Sequence, residues 1–188
     1  MTYTSSELLT LVRQRLGLST TRADASVAEW EGVDTDALLR QHMRSWYLHQ
    51  LDTAPPALLS ISEIARQCSL SAVGQSHHLI LLPSDCRRVL AVQLQGWQRH
   101  VQPVCHDSPE GTLLLRRLAS PYARPGTGCP SAIMMADGRI AVAPVDIPAI
   151  QSVRAIVDPG PDSYVLCPSL LDNIDFNATC FPQHSELI

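Results

Sequence analysis

The stretch HLILLPSDCRRVLAVQLQG, residues 78–96, decides how the chain is read. Its first five residues, His78-Leu79-Ile80-Leu81-Leu82, form an unbroken apolar run of strand length. Pro83, which has no amide to give to a ladder, closes it. Residues 88–95 then alternate: Val89, Ala91, Gln93 and Gln95 fall on one side, Leu90, Val92 and Leu94 on the other, and Trp97 follows the turn residue Gly96. A period of two predicts strands. Residues 100–105 read as a third strand paired back across Gly96. A polar turn at 107–111, an apolar and basic stretch at 112–118 and a Pro/Gly-rich loop at 121–130 come next. Asp137-Gly138, flanked by apolar residues 132–135 and by 139–143, is the strongest hairpin signal in the chain. Residues 149–157 and 163–167 are further strand candidates, and 168–179 reads as a last short helix cut off by Phe181-Pro182.

Upstream of residue 74 the period is that of a helix. Thr4-Ser5-Ser6-Glu7 is a capping box in which Thr4 and Glu7 each satisfy an otherwise orphaned amide, and Tyr3 and Leu8 are placed for a hydrophobic staple. Leu8, Leu11, Val12 and Leu16 form one stripe ending at Gly17. After a polar linker at 19–34, which carries Trp30, a second helix is predicted over 35–51. Asp34 and Asp36 lie at its positive end, and Leu39, Met43, Trp46, Tyr47 and Gln50 or Leu51 form its packing face. Pro55 and Pro56 end it. The two helices should pack as an antiparallel pair. Residues 58–73 are ambiguous: Ser60-Ile61-Ser62-Glu63 repeats the capping-box pattern, while the serine-rich end and Gly74 suit a strand and turn. The expected fold class is α+β, an N-terminal helical pair followed by a small antiparallel β-sheet and hairpin domain and a short C-terminal helix. The expected segments are 1–56, 57–167 and 168–188, in one compact domain.

Composition narrows the function by exclusion. The chain has 188 residues, 45% of them hydrophobic, so it can bury a core. Charged residues are 17%, against roughly 25% in ordinary soluble domains. All 14 basic residues are arginine, which removes Schiff-base and lysine-cradled phosphate chemistry. A net charge of −4 argues against a bulk nucleic-acid binder. No apolar run approaches the ~18 residues of a membrane span, and the N-terminus lacks the pattern of a signal peptide. A soluble, intracellular product with six free thiols and no membrane partner is therefore expected. Charge is segregated along the chain: residues 87–124 hold six arginines and two acids, residues 155–188 five acids and no base. Such segregation suits subunits that meet basic face to acidic face.

No cluster announces a reaction. Cys105-His106 are adjacent, which in a strand sends them to opposite faces. Cys167, Cys180 and His184, with His77-His78, make only half of a zinc pattern. Pro125-Gly126-Thr127-Gly128-Cys129 lacks the lysine and the strand–loop–helix context of a phosphate loop. Asp34/Asp36 and Asp172/Asp175 belong to helix starts. No catalytic residue, cofactor or metal ligand is assigned.

Residues 82–144 carry an ordered set of features. Leu82-Pro83-Ser84-Asp85 is followed by Trp97 and Arg99, Asp107-Ser108-Pro109, then Arg124, Gly126 and Pro130, with Asp137-Gly138 in the hairpin. This order resembles the ring or head-to-tail connector (neck) proteins of tailed phages, of the kind found in crAss-like phages and Bacteroidales prophages. The resemblance covers about a third of the chain firmly and the helical remainder loosely. It implies a non-enzymatic virion protein that closes into a homo-oligomeric ring and bridges portal and tail proteins. The ring would surround a passage for DNA, and the protein would be found in the virion and, during assembly, in the host cytoplasm. Its contacts would run from Arg87, Arg88, Arg99, Arg116, Arg117 and Arg124 to Asp158, Asp162, Asp172 and Asp175 of a neighbour, with Trp97 either a core plug or an interface anchor. The runner-up is a prophage- or mobile-element-encoded interaction module that forms no ring; a Cys/His hydrolase is third.

Overall fold

The computed structural model describes residues 1–15, 35–73, 77–120 and 122–172. In chain order the elements begin with β1 (Thr2–Thr4), α1 (Ser5–Arg15), α2 (Thr35–Thr53), β2 (Ser62–Glu63), β3 (Ser69–Val73), β4 (His77–Leu81) and β5 (Cys86–Leu94). They continue with β6 (Val104–Cys105), α3 (Pro109–Ala119), β7 (Ser131–Met134), β8 (Ile140–Ala143), β9 (Ile150–Val157), β10 (Ser163–Val165) and α4 (Pro168–Asp172). The class is α+β. The chain forms two units, Ile61–Val157 and, around it in sequence, Met1–Ser60 with residues from Asp158 onward. This division differs from the segments read in the sequence: residues 158–167 belong with the N-terminal helices, because β10 pairs antiparallel with β1, Tyr3 opposite Tyr164.

In the N-terminal unit the capping box forms as its residue types require. The Thr4 amide donates to Glu7 Oε2 at 2.8 Å and the Glu7 amide to Thr4 Oγ1 at 3.3 Å. Leu8, Leu9 and Val12 are buried on α1. On α2 the buried positions Leu39, Met43, Tyr47 and Leu51 repeat every four residues, while Trp46 is only half-buried. Arg13 in the last turn of α1 pairs with Asp36 in the first turn of α2 at 3.1 Å, as an antiparallel pair requires. Gly17, the linker at 19–34 and residues 173–188 lie outside the described residues. Arg44 pairs with Asp158 and donates to the Gly160 carbonyl at 3.0 Å, pinning the segment that leads into β10.

The second unit is layered. β2, β9 and β5 make one antiparallel sheet, and a second runs in the order β3-β4-β8-β7-β6. Their facing sides form one core. Val89, Val92, Leu94, Val153 and Ala155 come from the first sheet, and Ile80, Ala132, Ile140 and Val142 from the second. The alternate residues of the second sheet, Leu79, Ile133, Ala141 and Ala143, pack against Leu118 of α3. Strands covered on both sides need apolar residues at every position, which is why residues 79–80 and 140–143 read as continuous rather than alternating runs. Fully burying a side chain such as Ile133 contributes about 1.5–3 kcal/mol.

Several expectations are corrected. The strands expected in a single antiparallel sheet divide among three sheets, and β6 runs parallel to β7. The expected strand at 100–105 is a lone bridge, Val101 to Val92, followed by the two residues of β6. The alternation read over 88–95 slips. A bulge between Val89 and Ala91 leaves Leu90 unopposed, so Val89 faces the core together with Val92 and Leu94. The stretch at 112–118 is α3, with Ser108 as its cap. The hairpin stands: β7 and β8 pair through residues 135–139, with Gly138 at φ +79° and the Met135 amide donating to the Arg139 carbonyl at 2.8 Å.

The second Ser-x-x-Glu pattern does not start a helix. Glu63 instead staples β2 to β9. Its carboxylate accepts from the Val153 amide at 2.6 Å, the Ser152 hydroxyl at 2.5 Å and the Ala65 amide at 3.2 Å. Burial opposes its charge, but these hydrogen bonds outweigh burial and hold the carboxyl below its ordinary value. A depressed carboxyl contributes stability that is present above the unfolded value, about 4.3, and lost as pH falls through the folded one. The urea midpoint is therefore expected to fall steeply below about pH 4.3, and Glu63→Gln to flatten that acid limb while lowering the midpoint at neutral pH. An unchanged acid limb in the variant would refute the role.

Candidate functional site

Two surfaces on the second unit carry chemistry, and α3 positions both. The helix starts because Ser108 accepts the Gly111 amide on Oγ at 3.0 Å and Pro109 supplies a preset first-turn φ. Gly111, Leu114, Leu115 and Leu118 face inward. The opposite face presents Leu113, 57% exposed, with Arg116 and Arg117 exposed one turn on. In the following loop Tyr122 is 98% exposed and Arg124 is exposed. Arg116 and Arg117 also lie at the negative end of the helix, where cations are favoured. Sequence reasoning found the three arginines but missed Leu113 and Tyr122. Ser108-Pro109-Glu110, a cap followed by proline at the first helical position, is the signal that would have placed Leu113 on a helix.

The remaining interface candidates divide. Arg87 is exposed and Arg88 half-buried on β5, and Arg99 donates to the Cys129 sulfur at 3.6 Å. Trp97 is no anchor for a neighbour. It is 4% exposed in the core, with its indole N–H bonded to the Pro144 carbonyl at 2.8 Å. Asp158 is likewise committed within its own chain, to Arg44 and to the Gly160 amide at 3.0 Å. Asp162 is exposed. Asp172 closes α4, and Asp175 lies outside the described residues, as do Cys180 and His184 of the half-zinc pattern.

The second surface is the corner between β6 and α3. The expectation that Cys105 and His106 point to opposite faces fails, because Cys105 is the last strand residue and the chain turns at once. A thiol sulfur from Cys105, an imidazole nitrogen from His106 and a carboxylate oxygen from Asp107 all lie within 4.8 Å of one another. The Cys105 thiol hydrogen-bonds the Asp107 carboxylate, the main reason that carboxyl is held below its ordinary range. The corner sits on an open surface, with Cys105 and Asp107 exposed and His106 half-buried. Cys68 and Cys86 differ: burial pushes both thiols up to about 11, so they stay protonated at neutral pH. A cavity of about 110 Å³ in the N-terminal unit is lined by Tyr3, Leu8, Leu11, Val12, Arg15 and Leu171, a mostly apolar set with no carboxylate, imidazole or thiol. Among the described residues no helix is long and apolar enough to cross a membrane. The chain matches no family model, curated protein or solved structure.

Proposed function

We propose that this chain is a non-enzymatic assembly subunit, a ring or head-to-tail connector of a tailed phage that joins portal to tail by contacts between subunits. One observation carries the reading: residues 113–124 gather an exposed leucine, an exposed tyrosine and three exposed arginines on one helix face and its following loop. Tyrosine and arginine are enriched where interfaces bind most strongly. The occupant is a second copy. The unit bearing the patch has nine arginines against six acids, whereas the unit built from residues 1–60 and 158–188 has twelve acids against five arginines. Basic meeting acidic is a heterologous contact, which closes into a ring when its rotation closes. Arginine supports it by gripping carboxylates through two parallel bonds. Such a ring, built in the host cytoplasm and carried in the virion, would pass DNA without reading its sequence.

Sedimentation velocity tests this. The wild type is expected to form large species at high concentration and low salt that dissociate as salt screens charges beyond about 10 Å. The double variant Arg116→Glu, Arg117→Glu should remain monomeric throughout. A wild type that stays monomeric under those conditions, encoded without portal or terminase genes beside it, overturns the ring reading and favours a module that binds another protein.

A further inference from the structure

We propose that the β6–α3 corner binds one divalent transition-metal ion of the zinc class through Cys105 Sγ, an imidazole nitrogen of His106 and a carboxylate oxygen of Asp107, with a fourth position open to water. This is independent of the assembly reading. Three observations support it. The first is convergence: among the described residues this group brings three different donors within 4.8 Å of one another. Zinc bonds of about 2.0–2.3 Å set tetrahedral donor separations of roughly 3.3–3.8 Å, so about 1 Å of side-chain movement closes the site.

The second is an unmet valence: the buried Nδ1 of His106 has no hydrogen-bond partner. A buried imidazole nitrogen is ordinarily satisfied, and the His106 ring lies beside two groups that become anionic ligands. The third is a built frame. The Cys105 carbonyl accepts both the Ser108 amide at 3.1 Å and the Ser108 hydroxyl at 2.7 Å. The His106 amide donates to the Met134 carbonyl at 3.0 Å, and the Thr112 hydroxyl reaches the His106 carbonyl at 3.4 Å. Cys105 and His106 are thus held in place by their own backbone groups, the kind of outer support that orients metal ligands. The mixed sulfur, nitrogen and oxygen set suits zinc, cobalt or nickel rather than magnesium or calcium, which prefer all-oxygen shells.

Cobalt(II) titration of the reduced full-length protein is the test. The expected result is a thiolate-to-cobalt charge-transfer band in the near ultraviolet that saturates at one equivalent and is displaced by zinc. Cys105→Ser should abolish the band, His106→Asn and Asp107→Asn should weaken cobalt binding at least about tenfold, and Cys129→Ser should leave it unchanged. Circular dichroism of each variant separates loss of the site from loss of fold. No band in the wild type, or a band that survives Cys105→Ser, overturns the site.

Discussion

Gly111→Ala is expected to destabilise the protein by about 3 kcal/mol, although alanine is intrinsically the better helix former. A Cβ at this position would lie 2.0 Å from the Cys105 carbonyl oxygen, 2.8 Å from its carbon and 3.0 Å from the His106 Cα. All three are backbone atoms, so no rotamer change relieves the clash. Relief requires α3 to back away from the end of β6. That would stretch the Ser108 cap, which ties the Gly111 amide to a hydroxyl that itself bonds the Cys105 carbonyl. The helix would also lose its seat on Ile133 and Ala141. Urea denaturation gives the cost directly. Gly126→Ala is the control: it has open space around the added carbon and no left-handed φ, so its effect should stay within about 0.5 kcal/mol. If Gly111→Ala were as stable as the wild type, the close approach of α3 to β6 would be wrong.

Tyr47→Ala should cost about 4 kcal/mol, and Tyr47→Phe only about 1 kcal/mol. Tyr47 is 1% exposed and its ring meets that of Tyr164, also 1% exposed, edge-on with centroids 5.0 Å apart. The phenol oxygen accepts the Val165 amide at 3.1 Å, and the Arg44 guanidinium lies 5.9 Å from the ring centroid. Phenylalanine keeps the ring contacts and loses one hydrogen bond. Alanine leaves a cavity beside Tyr164. Equal losses in the two variants would place the stabilisation in the hydroxyl rather than in the ring.

Local patterns were legible where a short window contains its own cause. The capping box needs only Thr4 and Glu7, and the turn at Asp137-Gly138 only five residues, so both emerge from sequence as they stand in the fold. The repeat of Leu39, Met43, Tyr47 and Leu51 was visible for the same reason. Patterns whose meaning depends on a distant partner were not. Ser60-Ile61-Ser62-Glu63 looks like a second capping box, but the Glu63 carboxylate is claimed by Ser152 and Val153, some ninety residues away. Strand β1 is three residues long and has no periodicity of its own; β10 creates it.

The candidate surfaces divide along the same line. Arginines are easy to count, but which of them share a face with Leu113 depends on α3, and Asp158 turned out to be spoken for by Arg44. In the sequence the Cys105–His106 pair is discounted by assuming that strand geometry continues through Cys105, and Asp107 reads only as part of a polar turn. The strand stops at Cys105 because the next elements, a turn and a capped helix, begin at once.

The way the chain threads its two units fixes an order of biosynthesis. Residues 61–157 are contiguous, so that unit has every strand it needs once Val157 has left the ribosome. Thr2–Thr4, made before that unit, have no strand to join until Ser163–Val165 are translated. A segment made before that unit is thus seated after it, and in the interval a nascent polypeptide carries one finished body and one waiting for its closing strand.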